Sequence, residues 1–126
     1  TSGVKNFKFH PDLSYMSKGG RIAEDGERIH VLKLDDITIN DERKIRGIKI
    51  DTEGEDYKVL LGAKNIIENN LPEIIIEVRE ENKLLIREFL IKFGYKFFSM
   101  LGKLKETNLI DLKINVSTNI FASVKK

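Results

Sequence analysis

The chain has no cysteine and no tryptophan, and only two prolines and two histidines among 126 residues. Without cysteine there is no disulfide, thiolate nucleophile or soft metal site, and the redox compartment goes unmarked. No apolar run approaches the roughly 18 residues that a membrane span needs, and no signal-peptide core is present. Neither a membrane partner nor export is therefore expected, and the cytoplasm is the default location. Charge of one sign is scarce as well: 22 Lys and Arg against 20 Asp and Glu leave a formal +2. The charges are interspersed, so the basic footprint of a nucleic-acid-binding surface is missing. There is no internal repeat or low-complexity tract. What remains is enough chain for a single domain with one core.

Residues 1–28 hold polar turn formers, with His10-Pro11-Asp12 and Lys18-Gly19-Gly20 as the clearest breaks. They read as an irregular segment ahead of an α/β core over 29–126. Alternation predicts a strand at 29–34, followed by a polar connection carrying Asp35, Asp36, Asn40 and Asp41. A second strand reads at 45–51. From 55 to 69 the apolar residues Val59, Leu60, Ala63, Ile66 and Ile67 recur every three or four positions, which predicts one amphipathic helix. Glu55 and Asp56 suit the positive end of its dipole, and Asn69-Asn70 with Pro72 stops it. Residues 73–79 form the strongest strand, a near-continuous apolar run of the kind found in parallel sheets covered on both faces. A helix at 82–93 ends at Gly94, and strands at 95–100 and 119–124 flank a long polar segment. This order predicts an α/β sheet with parallel crossovers, ending in an antiparallel strand pair.

Ligands of open α/β sheets sit outside the carboxyl ends of the strands. Asp51 ends one such strand and Glu77 lies late in another. If the two strands are neighbours, a spacing of roughly 4.8 Å lets both acids face one site. Glu53 and Gly54 extend the rim, Gly54 allowing a sharp turn into the helix. Lys49 shares a strand face with Asp51 and is expected to pair with Asp51 or Glu77, because an unpaired lysine in a central strand is costly. The blander reading of each acid is a helix cap or a solvated loop group. Two acids on successive strand ends, with a glycine turn between strand and helix, weigh against it.

Asp51-Thr52-Glu53-Gly54-Glu55, preceded by Ile48-Lys49-Ile50 and followed by Val59-Leu60-Leu61-Gly62-Ala63, resembles the FkbM methyltransferase family. Leu34-Asp35-Asp36-Ile37 resembles the L-D-D segment of that family upstream. Pro72-Glu73-Ile74-Ile75-Ile76-Glu77-Val78 resembles its next strand, with an acid near the end. Phe89-Leu90 and Phe93-Gly94-Tyr95-Lys96 resemble its helix-to-strand exit, so the likeness covers residues 29–100. It implies a Rossmann-like methyltransferase fold and methyl transfer from S-adenosylmethionine to a hydroxyl oxygen on a sugar or natural-product acceptor. Asp51 would orient that hydroxyl or take its proton, with Glu53, Glu77 and Lys49 as further catalytic candidates. Asp51 and Gly54 would face the cofactor. No metal site is implied, since no histidine lies near these acids in sequence.

Members of the family open with a strand and a glycine-rich turn resembling D-x-G-A-N-x-G, and no such pattern stands in this sequence. The resemblance therefore implies the carboxyl-terminal half of a Rossmann-like methyltransferase sheet, with the cofactor-binding half absent. On that footing the chain by itself binds S-adenosylmethionine weakly or not at all. The strand ending at Asp51 would leave an unpaired edge through which copies self-associate. Two competing readings are a non-catalytic α/β module that binds a partner, and an acidic-cluster hydrolase built on Asp51, Glu53 and a divalent metal. His30 is expected to be exposed and His10 to sit in a turn. Phe89, Phe93, Phe97, Phe98 and Phe121 are expected to pack only. Lys103, Lys105 and Lys113 decorate the long segment before the last strand, read as a solvated loop.

Overall fold

The computed structural model describes residues 3–9, 20–23, 27–37 and 43–125. His10, Pro11, Lys18, Gly19, Asn40 and Asp41 lie outside them. Two sheets are present among the described residues. The first holds β1 (Gly3–Phe9), β2 (Gly20–Ala23) and β3 (Glu27–Val31) in the order β2-β1-β3, antiparallel throughout. The stretch read as irregular thus contains two strands and the start of a third. Strands this short carry too little period to stand out among polar turn formers. The strand expected at 29–34 is β3, shifted toward the N-terminus and paired with β1. A single 3-10 turn, Leu34–Asp36, follows it.

The second sheet has five strands in the order β4-β5-β8-β6-β7. These are β4 (Gly47–Ile50), β5 (Glu73–Val78), β6 (Lys96–Ser99), β7 (Lys105–Thr107) and β8 (Thr118–Ser123). β4 and β5 are parallel, with Ile48 beside Ile74 and Ile50 beside Ile76. β8 lies between β5 and β6 and is antiparallel to both, so β5 and β6 point the same way without touching. The expected antiparallel ending is therefore real, but its last strand inserts into the sheet. β7, a three-residue strand inside the polar segment, was not legible because so short a run carries no period.

Three helices pack on this sheet: α1 (Asp56–Gly62), α2 (Lys64–Asn70) and α3 (Lys83–Ile91). Ile50, Ile74, Ile76, Val78, Ile120, Ala122 and Phe97 of the sheet meet Leu60, Ile67, Ile86, Phe89 and Leu90 of the helices in one core. Each fully buried aliphatic side chain stabilises this layer by about 1.5–3 kcal/mol relative to leaving it in water. The alternate side chains Lys49, Ile75, Phe121 and Phe98 point to the other face, where none is buried. The expectation that the strong strand is covered on both faces is corrected on this point. Its odd-numbered positions are half-buried, with Ile75 level with Phe121 and the rings of Phe98 and Phe121 6.0 Å apart.

The single helix expected over 55–69 is two helices, broken at Ala63, whose φ of −113° leaves helical geometry. The apolar stripe runs across the break, so the period alone could not show it. What shows it is the partner. Asp35, in the 3-10 turn, accepts Asn65 N–H and Ile66 N–H at 3.0 Å each, satisfying the first turn of α2 from thirty residues away. Beside it, a Cβ built on Gly62 lies 3.4 Å from Lys33 Cβ and 3.5 Å from Lys33 Cα. The L-D-D and G-A motifs are thus two halves of one clasp. At the far end of α2, Asn70 donates to Ile66 O at 2.8 Å and accepts Ile45 N–H at 3.1 Å. That ties the helix to the chain leading into β4.

Candidate active site

The turn after β4 is built by a buried carboxylate. Asp56, fully buried at the start of α1, accepts Thr52 N–H at 3.4 Å and Gly54 N–H at 3.3 Å. These bonds hold a backbone that takes two consecutive left-handed residues, Glu53 at φ 56° and Gly54 at φ 100°. Glycine meets that geometry without strain, whereas the glutamate does so at a cost of about 1 kcal/mol or more. The turn leaves Asp51, Glu53 and Gly54 exposed at the carboxyl end of β4.

Continuing the parallel register by one pair sets Asp51 beside Glu77. Paired positions in parallel strands project to the same face, so the carboxyls of Asp51 and Glu77 stand side by side at the strand tips. The side chain of Glu77 is 16% exposed. Burial, more than any other influence, pushes its carboxyl above the usual carboxylate range. The hydrogen bond to Asp51 and the negative charges of Asp51 and Asp56 add to the rise, while Arg79 opposes it. Arg79 Nε donates to Glu77 Oε1 at 3.3 Å, and Arg79 Nη2 stands 4.0 Å from Glu53 Oε2. The guanidinium lies over Gly54, where an added Cβ would sit 3.5 Å from Nη1. Arg79 in turn is steadied by Asn82, whose Oδ1 accepts Arg79 N–H at 2.8 Å.

Of the sequence candidates, Asp51, Glu53, Gly54 and Glu77 are therefore brought to one rim. Lys49 is in β4 and exposed, and it makes no ion pair with Asp51 or Glu77. The expected pairing fails because, among the described residues, β4 is an edge strand and no helix packs on this face, so the exposed ammonium stays in water and needs no partner. Arg79 and Asp56 were missed by the sequence reading. Arg79 is two residues beyond Glu77 and so on its face of the strand, the one signal that could have found it. Among the described residues no group of three or more His, Asp or Glu is set to hold a metal ion. His30 is exposed, in the other sheet.

The parallel pair and the helices packed on the sheet make this an α/β protein, with a carboxyl pair and a left-handed glycine turn at its strand tips as the candidate site. The model of the FkbM methyltransferase domain matches residues 6–97, and the chain belongs to that family of methyltransferases. The match reaches back to residue 6, so β2, β3 and most of β1 fall within it. No curated protein and no solved structure matches the chain.

Proposed function

We propose that the protein is part of a methyltransferase that moves a methyl group from S-adenosylmethionine to a hydroxyl oxygen of a small sugar or natural-product acceptor, with Asp51 as the group that handles the acceptor proton. Family membership supports the reaction class. The observation that carries the residue assignment is the register that sets the carboxyls of Asp51 and Glu77 side by side at the carboxyl ends of β4 and β5. The described strands support a Rossmann-like sheet: a parallel pair joined through helices, a third strand in the same direction, and one reversed strand between. A cytoplasmic setting goes with this reading, as does pairing between copies along the free edge of β4.

The residues fit one end of the cofactor. When bound, S-adenosylmethionine supplies an electrophilic methyl on a sulfonium cation. A carboxyl pair is electrostatically suited to lie near such a cation. Asp51 and Gly54 would face it, Gly54 allowing close approach of the backbone. The adenosine end has no matching cradle among the described residues, where no glycine-rich turn follows a strand of the five-stranded sheet.

The chain's own groups divide the work. Glu77 keeps its proton to higher pH than an ordinary carboxyl and in that form donates to Asp51. That hydrogen bond and Arg79 fix the pair, leaving an exposed oxygen of Asp51 to accept the acceptor hydroxyl and then its proton. Glu53, held within reach of Arg79, shapes the outer side of the rim. The test is transfer of labelled methyl from S-adenosylmethionine to a panel of hydroxylated acceptors by a polypeptide that joins this domain to a cofactor-binding half, and by its Asp51→Asn variant, the chain by itself being expected to turn over little or nothing. Turnover in the wild type, with a loss of about 10²-fold or more in the variant at unchanged melting temperature, is expected. Equal turnover by the variant removes Asp51 from the role.

A further inference from the structure

At the end of the sheet that carries Asp51 and Glu77, two neighbouring loops expose aliphatic side chains to water. The connection between β6 and β7 presents Leu101 at 77% exposure and Leu104 at 58%, and the approach to β8 presents Val116 at 76%. Register places these tips together. β6 pairs with β8 as Ser99 with Ile120, and β5 pairs with β8 as Val78 with Thr118, so Leu101 continues to the level of Thr118 and Val116 stands two residues beyond. Two strand spacings, roughly 10 Å, separate this cluster from Glu77 along the rim. Exposed aliphatics at adjacent loop tips have no folding role, since each stabilises only when covered.

The charges at the tip are of one sign. Lys103 and Lys105 are exposed, and neither is paired with an acid among the described residues. The acids of the segment stand back from the tip, Glu106 opposite Phe98 and Asp111 bonded to Asn108 at 3.1 Å. The segment leading toward β8 is tied to α3. Lys83, only 8% exposed, donates from Nζ to Ile110 O at 3.1 Å and Leu112 O at 3.0 Å and pairs with Glu80 at 2.7 Å, binding the segment to α3.

We infer that this rim docks on an anionic lipid surface, Leu101, Leu104 and Val116 entering the headgroup boundary while Lys103 and Lys105 meet lipid phosphates and carboxylates. The two signals act together, as reversible peripheral binding requires. No helix among the described residues is long and apolar enough to cross a membrane, and this mode needs none. The expectation of no membrane partner rested on spans alone. The docking stands apart from the methyl-transfer reading, although it turns the Asp51–Glu77 end of the sheet toward the headgroups.

Flotation of the purified chain with vesicles of phosphatidylcholine, with and without phosphatidylserine, tests it. The chain should float only with the phosphatidylserine vesicles and be released by salt. Leu101→Ser with Val116→Ser should abolish most of that binding. Lys103→Gln with Lys105→Gln should lower it about fivefold or more at unchanged melting temperature. Absence of flotation, or equal flotation of both double variants, overturns the proposal. So does a dimer in sedimentation equilibrium that Leu101→Ser with Val116→Ser dissolves, because the cluster would then be covered by a second copy.

Discussion

Two aspartates stand in short acidic motifs, and the structure uses them in opposite ways. Asp35 spends both carboxylate oxygens on backbone N–H groups of α2. Asp51 sits exposed at a strand end, with a second carboxyl, Glu77, as its partner. Their glycines differ likewise. Gly62 is buried, with Lys33 against the space a side chain would take, whereas Gly54 is exposed at φ 100° beneath a guanidinium. A carboxylate saturated by amides is part of the scaffold. One left exposed at a strand end beside a second acid, Glu77, whose carboxyl burial pushes above the usual range, is open to a ligand. Residue type and motif look alike in the two places, and only the count of satisfied lone pairs separates them.

The comparison breaks most sharply in activity. Asp51→Asn should reduce methyl transfer by about 10²–10⁴-fold while leaving the melting temperature almost unmoved. Asp35→Asn in the same assay should retain turnover near the wild-type value wherever the protein remains folded. A loss of turnover equal to that of Asp51→Asn would merge the two motifs into one site. The next effect is on stability. Gly62→Val adds a branched side chain against the Lys33 backbone and should cost about 1–3 kcal/mol, read as a melting temperature some 5–15 °C lower. A stability unchanged by valine would mean that the clasp opens freely. Asp35→Ala follows, at about 1–2 kcal/mol, because it leaves two helix-terminal N–H groups without their acceptor. Amide exchange should locate its effect at Asn65 and Ile66. Protection unchanged there would show that the cap contributes nothing.

The sequence made the strand-turn-helix from 47 to 62 and the strand at 73–78 legible, because each carries a full apolar period and ends in polar or glycine signals. The acid pair followed from those two strands being adjacent. Three features were not legible. The break at Ala63 is imposed by Asp35 from another part of the chain, and no periodicity within 55–69 can register a remote partner. Arg79 reads as an ordinary charge after a strand, and its place depends on Gly54 leaving room above the turn. The run Ile74-Ile75-Ile76 reads as buried on both faces, yet what covers Ile75 is a matter of neighbours. Phe121 on the adjoining strand lies level with it, with Phe98 one strand further on against Phe121, and a one-dimensional pattern does not report them.

The smallest effect sharpens the contrast through pH. A carboxyl whose pKa is raised on folding binds its proton more tightly in the native state than in the unfolded chain. The stability it contributes is therefore full below the ordinary carboxylate pKa of about 4.3 and is lost as pH rises through the higher native value. Glu77 is such a group, because burial and the acids around it disfavour its charge. Glu77→Gln keeps the shape and a hydrogen-bond donor toward Asp51 but cannot ionise. The difference in melting temperature between Glu77→Gln and the wild type should therefore be smallest below about pH 4 and grow in favour of the variant as pH rises through the native pKa of Glu77. If the glutamine variant instead loses stability steadily with rising pH, the ionised form of Glu77 is the favoured one. The interaction with Arg79 then outweighs that with Asp51, and the pair holds no proton for chemistry.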